Sequence, residues 1–356
     1  MIRAREIRAY VACSGPKGVG TIRHYRLNAA DGSLEFIHQS IEIRNPSFLV
    51  VHPDQRTLYC VNEMNDYGGQ PAGAVSSFAI DPQTWQLTLL GQQSSMGEGP
   101  CFVGLDNTGR TAQVANFGGG SVAIYPVRSD GSLGPASDLR QHPTLGDKVP
   151  RAHSIRVDPT NRIAVTCDLG LDRVFFYRVD LEHGTLTPNH QPWLQLAPGA
   201  GPRHSEFHPN GKWLYVINEL GNTMTAIACD AAQGTFTELQ TLSTLPPDYT
   251  DTSYCGDVHV SPDGRFLYGT NRVHNSIVCF AIDQGDGTLT PVAWEPCRGD
   301  FPRNCALDPT GHYFFSLTHR SNNIVSFAID KRSGVLTPTG FDMQVESPMC
   351  CKFMLA

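Results

Sequence analysis

Charge is scarce in this sequence. Asp, Glu, Lys and Arg together make up 17% of it, and the net charge is −7. Without a basic excess there is no footprint for a nucleic-acid groove, which needs clustered Lys and Arg, and the same balance argues against a membrane surface as partner. Long apolar runs are missing too. Stretches such as residues 48–51 fall far short of the roughly 20 residues that cross a bilayer. The start, MIRAREIRAYVACSG, carries charges but no extended apolar segment, so no secretory signal is expected. Eleven cysteines are present, yet none stand as C-x-x-C or at zinc spacing. An odd, scattered set predicts reduced core thiols in a cytoplasmic protein. Catalytic signatures are equally thin. There is no G-x-S-x-G, no H-E-x-x-H and no Asp-rich calcium loop, and Gly118-Gly119-Gly120 lies between two strand-like segments. These absences speak against a serine hydrolase, a resident metal or any cofactor.

What is abundant is turn chemistry, with 34 Gly and 25 Pro. The turns punctuate a repeat: a short apolar strand, an HP or DP turn, a second apolar strand, a polar tip, then a hairpin closed by a Gly-containing turn. The copies read SFLVVHPDQRTLYCVNE from Ser47, CFVGLDNTGRTAQVANF from Cys101, HSIRVDPTNRIAVTCDL from His153, HSEFHPNGKWLYVINEL from His204, DVHVSPDGRFLYGTNRV from Asp257 and NCALDPTGHYFFSLTHR from Asn304. The turn markers Pro53, Asn107, Pro159, Pro209, Pro262 and Pro309 are 54, 52, 50, 53 and 47 residues apart. That period suits a four-stranded blade. Residues 8–41 supply three strands of another blade but no first strand, and the C-terminal SPMCCKFMLA resembles the missing one. The sequence therefore predicts an all-β, seven-bladed β-propeller over residues 1–356, a single domain of antiparallel four-stranded blades. Its ring would close by pairing the last strand with the N-terminal three, which removes open sheet edges.

That topology confines the functional face. Residues just before the first strand and just after the second converge near the axis on one side. The first set comprises Asn45-Pro46, residues 98–102, Arg151-Ala152-His153, Arg203-His204, Asp257-Val258-His259 and Arg303-Asn304. The second comprises Asn62-Glu63, Asn116-Phe117, Asp168, Asn218-Glu219, Asn271-Arg272 and His319-Arg320. Any one of these can serve only to satisfy loop backbone. The dense set of His, Arg, Glu, Asp and Asn around one funnel instead points to a ligand, because crowded charges are costly unless paired or bound. The opposite face receives the proline turns, which read as structure.

Several segments resemble a known family, the seven-bladed lactonase propellers, which include propeller-type bacterial 6-phosphogluconolactonases and fungal carboxy-cis,cis-muconate cyclase. They are GPRHSEFHPNGKWLYVINEL (201–220), GEGPCFVGLD (97–106), ANFGGGSVAIYPV (115–127) and CDLGLDRVFFYRVD (167–180), and the likeness extends over nearly the whole chain. It implies catalytic roles for His153, Arg203 and Glu219, with His204 beside the arginine and Arg272 or Arg303 as a further cation. This chain departs from the family where Phe102 stands in place of a common His and where Arg151 precedes Ala152-His153.

Lactone opening requires a deprotonated water, a stabilised oxyanion and a proton for the leaving ring oxygen. Glu219 is the expected general base, His153 the acid or proton shuttle, and Arg203 the oxyanion or anion binder. Glu63, Asn116, Arg151, Asp168, His204, His259, Arg272 and Arg303 are expected to bind substrate, a small-molecule lactone or organic acid. Glu63, Asp168, Glu219 and His153 could instead hold a divalent cation. Run in reverse, the same set would lactonise a muconate-type diacid, and a non-catalytic binding propeller is the third reading. Oligomeric state is not set by the sequence.

Overall fold

The computed structural model describes residues 6–355; residues 1–5 and 356, which the expected domain includes, lie outside the described residues. Seven antiparallel sheets stand around one axis. The inner strands, in ring order, are Pro348–Leu355 (blade 1), Pro46–Val51 (blade 2), Pro100–Leu105 (blade 3), Ala152–Val157 (blade 4), Pro202–Phe207 (blade 5), Tyr254–Val260 (blade 6) and Pro302–Leu307 (blade 7). Each packs on the next, and Pro302–Leu307 packs back on Pro348–Leu355. Blade 1 is the closure: Pro348–Leu355 pairs antiparallel with Ile7–Cys13, which leads to Val19–Leu27 and Leu34–Gln39. The expected fold and its ring closure are both present. The one helical turn among the described residues is the three-residue Pro16–Gly18.

The sequence explains these elements locally. Five of the seven inner strands begin with a proline immediately after the bend from the previous blade, and Pro150 precedes a sixth. The inner strand is the free edge of its sheet, so a missing N–H at its first residue costs little. At the lower end, Asp158 accepts bonds from the backbone N–H groups of Thr160, Arg162 and Ile163 and shapes the DPTN turn. His52 and His208 donate across to the carbonyls of Gly109 and Gly264 in the next blade, at 3.0 and 2.8 Å. They tie neighbouring blades together. Further out, the buried tyrosines Tyr59, Tyr215 and Tyr268 donate to the carbonyls of Gly131, Gly287 and Gly334. Gly287 adopts φ +80°, and a Cβ there would lie 2.4 Å from Trp213, so no other residue fits that contact.

Candidate active site

A register slip in the inner strands builds the upper mouth of the axial channel. In six blades the second inner-strand residue is skipped by the pairing: Ser47, Cys101, His153, Arg203, Arg303 and Met349. In blade 6 the slip falls between Cys255 and Val258. A bulge re-aims the extra side chain, so His153, Arg203 and Arg303 all occupy one position of the repeat. The second contribution comes from the residue one beyond a recurrent Asn or Asp at the end of the second strand. These residues are Glu63, Phe117, Leu169, Glu219 and Arg272, with His319 and Ser14 at the corresponding places in blades 7 and 1.

The cluster is charged and largely buried. Glu219 Oε2 lies 2.9 Å from Arg203 Nε and 2.6 Å from an Arg272 terminal nitrogen. Arg203 also donates to the Gly256 carbonyl at 2.7 Å, and Arg272 donates twice to the Cys255 carbonyl at 3.0 and 2.7 Å. Burial, then Arg203, lowers the Arg272 pKa to about 10. Arg303 is far less committed, since its only acid neighbour among the described residues is Glu63, at 3.8 Å. Side-chain exposure separates the roles: 2% for Arg203 and 6% for Arg272, but 18% for Glu219 and 22% for Arg303. Glu219 and Arg303 are therefore open to the mouth, while Arg203 and Arg272 are enclosed and hold Glu219.

His153 stands on the blade 4 side. Its ring is edge-on to Phe117 at 5.4 Å and to His204 at 5.1 Å, and its Nδ1 is 3.7 Å from Cys101 Sγ. Burial, reinforced by Arg203, His204 and Arg303, holds its pKa well below the ordinary histidine value, so the imidazole is neutral at physiological pH. It makes no hydrogen bond to Glu219. Burial also pushes the Cys101 thiol far up, which leaves it inert as a nucleophile.

Between blades 7, 1 and 2 the mouth opens into a cavity of about 370 Å³ bounded by Glu63, Arg303, Phe301, His319, Asn45 and Ser14, among others. Phe301 joins it to the Glu219 cluster, because Arg272 and Arg320 both lie over its ring, 5.1 and 3.9 Å from the centroid. Phe301 has φ +64°, a strained conformation for an aromatic residue, held by donation of its N–H to Asn275 Oδ1 at 2.8 Å. His319 and Asn45 belong to the converging sets read from the repeat. Ser14 and Phe301 were missed: Ser14 because blade 1 is split between the two termini, Phe301 because its loop carries no motif.

Four residues expected to bind substrate do not reach this mouth. Asn116 is buried and donates to the Ser95 carbonyl at 2.8 Å and to Ser121 Oγ at 3.1 Å. Asp168 is buried as well; it accepts from the backbone of Arg151 and Leu171 and contacts His142 Nδ1 at 2.5 Å. Both are members of the recurrent set that pins the strand end to the crossover loop, as Asn62 does at the Arg44 carbonyl and Asn271 at the Thr244 carbonyl. That burial also removes Asp168 from any shared metal set with Glu63 and Glu219. His204 lies one layer deeper, donating to Asp257 Oδ1 at 2.6 Å, and burial followed by Arg203 lowers its pKa to about 3. His259 is deeper still, 3.3 Å from Asp257 Oδ2 and 3.6 Å from Glu206. Arg151 remains at the rim, donating to the Gly118 carbonyl at 3.0 Å and lying over Phe117.

A closed propeller whose axial mouth carries a clamped carboxylate beside an accessible arginine holds the groups that opening an ester calls for. The chain belongs to the seven-bladed β-propeller lactonase family: the sequence model described as "Lactonase, 7-bladed beta-propeller" matches residues 8–353. It is accordingly a lactone hydrolase, a kind of carboxylic ester hydrolase. Among relatives, the 6-phosphogluconolactonase of Bacillus subtilis is 33% identical over 303 residues, 84% of each chain. That of Pectobacterium carotovorum is 33% identical over 261 residues, 73% of each. Among solved structures, the periplasmic gluconolactonase of Pseudomonas aeruginosa superposes with a TM-score of 0.89 at 31% identity, covering 99% of both chains.

Proposed function

We propose that the upper axial site hydrolyses a sugar-derived lactone bearing an anionic group, of the 6-phosphogluconolactone kind. The observation that carries this reading is the pairing of an accessible, weakly matched Arg303 in the cavity with the clamped carboxylate of Glu219 next to it. A phosphate or carboxylate in the cavity would meet Arg303, with His319, Asn45 and Ser14 as hydrogen-bonding neighbours. The lactone ring would then reach towards Glu219 and His153. The names of the bacterial relatives support the same substrate class.

In this scheme Glu219 accepts a proton from water as the water oxygen bonds to the lactone carbonyl carbon. The guanidinium field at the mouth stabilises the tetrahedral oxyanion. The ring C–O bond then breaks, and the leaving oxygen takes the proton held by Glu219, directly or through His153. A neutral His153 cannot begin as an acid. It can receive that proton and pass it on, which favours the shuttle role over the acid role. The eleven unpaired cysteines support a reducing compartment, and no helix among the described residues is long and apolar enough to cross a membrane.

The substrate class is tested with Arg303→Gln. Removing the cation is expected to raise KM for a phosphorylated δ-lactone about 10-fold, about 1.4 kcal/mol, while KM for the unphosphorylated lactone stays put. Initial rates corrected for spontaneous opening give the answer. Equal KM values for the two lactones, unchanged by the substitution, would remove the anionic group from the reading.

A further inference from the structure

The lower mouth of the channel, where the inner strands end, holds a second cavity of about 480 Å³. A plug separates it from the upper site. Phe48 and Phe102 stack with centroids 4.3 Å apart, and His204 stands edge-on to both at 5.6 and 5.4 Å. Beyond the plug, Lys352 Nζ lies 4.8 Å from the Phe48 centroid and the Arg156 guanidinium 5.2 Å from that of Phe102. Both cations line the lower cavity, together with Glu206, Asp106, Asn107 and His208 and with an apolar wall that includes Val50, Leu105, Val157 and Phe207.

The charges here are unevenly matched. Glu206 faces Arg156 at 2.9 Å and His259 at 3.6 Å, so its charge is opposed twice. Burial pulls the His259 pKa down, but Asp257 and then Glu206 outweigh it and leave it above the ordinary value. Lys352 has no carboxylate partner within 4.0 Å among the described residues; it lies over the Phe48 ring, and its charge helps hold the Glu206 carboxyl below its ordinary range. Three buried polar atoms in the cluster, Arg156 Nε, Glu206 Oε2 and His259 Nε2, lack an aligned hydrogen-bond partner. A half-buried cation without a carboxylate partner, beside polar atoms left without aligned partners, is costly unless something fills the space next to it.

We propose that the lower cavity is a second ligand site, taking a small oxyanion, carboxylate or phosphate, between Lys352 and Arg156, with any apolar part of the molecule against Val50, Leu105 and Val157. Neither cation belongs to the upper cluster, so occupancy does not depend on lactone hydrolysis and the two readings stand or fall separately.

Calorimetric titration with inorganic phosphate and, separately, with succinate tests it. Wild type is expected to bind about two equivalents of at least one probe. Lys352→Met should reduce this to one, with affinity at the lost place down at least 10-fold. Lys352→Arg should retain two, and Arg303→Gln should leave the lower equivalent intact. Binding of one probe alone supports the proposal and names the oxyanion. If Lys352→Met does not fold, Val50→Glu, which puts a negative charge in the same cavity, should cause the same loss. A single equivalent untouched by Lys352→Met and removed by Arg303→Gln, or no binding of either probe, overturns it.

Discussion

Glu219→Gln is expected to lower kcat on the lactone by about 10³-fold, in the usual range for loss of a general base. The substitution preserves shape, so KM should change little. The effect arises because Glu219 is, among the described residues, the one carboxylate held between two guanidiniums at the mouth with part of its surface open. Its removal has a second, separable consequence. Arg203 and Arg272 would be left buried, with only the carbonyls of Gly256 and Cys255 to meet them. Breaking a buried pair is strongly destabilising, and with Glu219 partly solvated a cost of about 2 kcal/mol is expected. Denaturant unfolding measures that cost independently of turnover. A variant that is destabilised but fully active would show that Glu219 anchors the fold and does no chemistry.

Arg203→Lys carries the second largest expectation, a fall in kcat of about 10²-fold with KM within about 3-fold. Arg203 is too enclosed to contact substrate. In the proposed mechanism it acts by holding Glu219 in an ion pair, 2.9 Å from Nε, while its other arm is bound to Gly256. A lysine keeps the charge but cannot bridge those two points, since it is a point donor on a flexible stem. A merely structural role would predict lost stability with unchanged kcat in the folded fraction. A direct role in binding substrate would predict a raised KM. Steady-state kinetics on protein shown to be folded separates all three.

The blades were legible because each repeats its turn marker and its alternating strands, so the closure of the ring could be read from a C-terminal strand that matched the missing first strand of the N-terminal blade. The site was legible only to the level of a face. Reading residues before the first strand and after the second gathers Glu63, His153, Arg203, Glu219, Arg272 and Arg303, which lie around one mouth. It could not tell a strand-end Asn or Asp from the residue after it. Asn116 and Asp168 turn inward to hold loop backbone, while Phe117 and Glu219 face the mouth. The repetition of the Asn/Asp in nearly every blade was the available clue, because a group needed in every blade serves the blade. Nor does sequence place depth along an inner strand. His204 and His259 lie one and two layers below Arg203, and that layering follows from bulges that leave no mark in the sequence. The same blindness hid the lower cavity, whose Arg156, Glu206 and Lys352 were passed over as part of a face assigned to turns.

The central claim is that one ligand spans Arg303 and Glu219 in the upper mouth. A crystal structure with 6-phosphogluconate, the product of the proposed reaction, tests it most directly. The account predicts its phosphate within hydrogen-bonding distance of Arg303 and its carboxylate beside Glu219 and His153. Product seated only at the lower mouth or on an outer blade edge, with the space between Arg303 and Glu219 left to solvent, would contradict it.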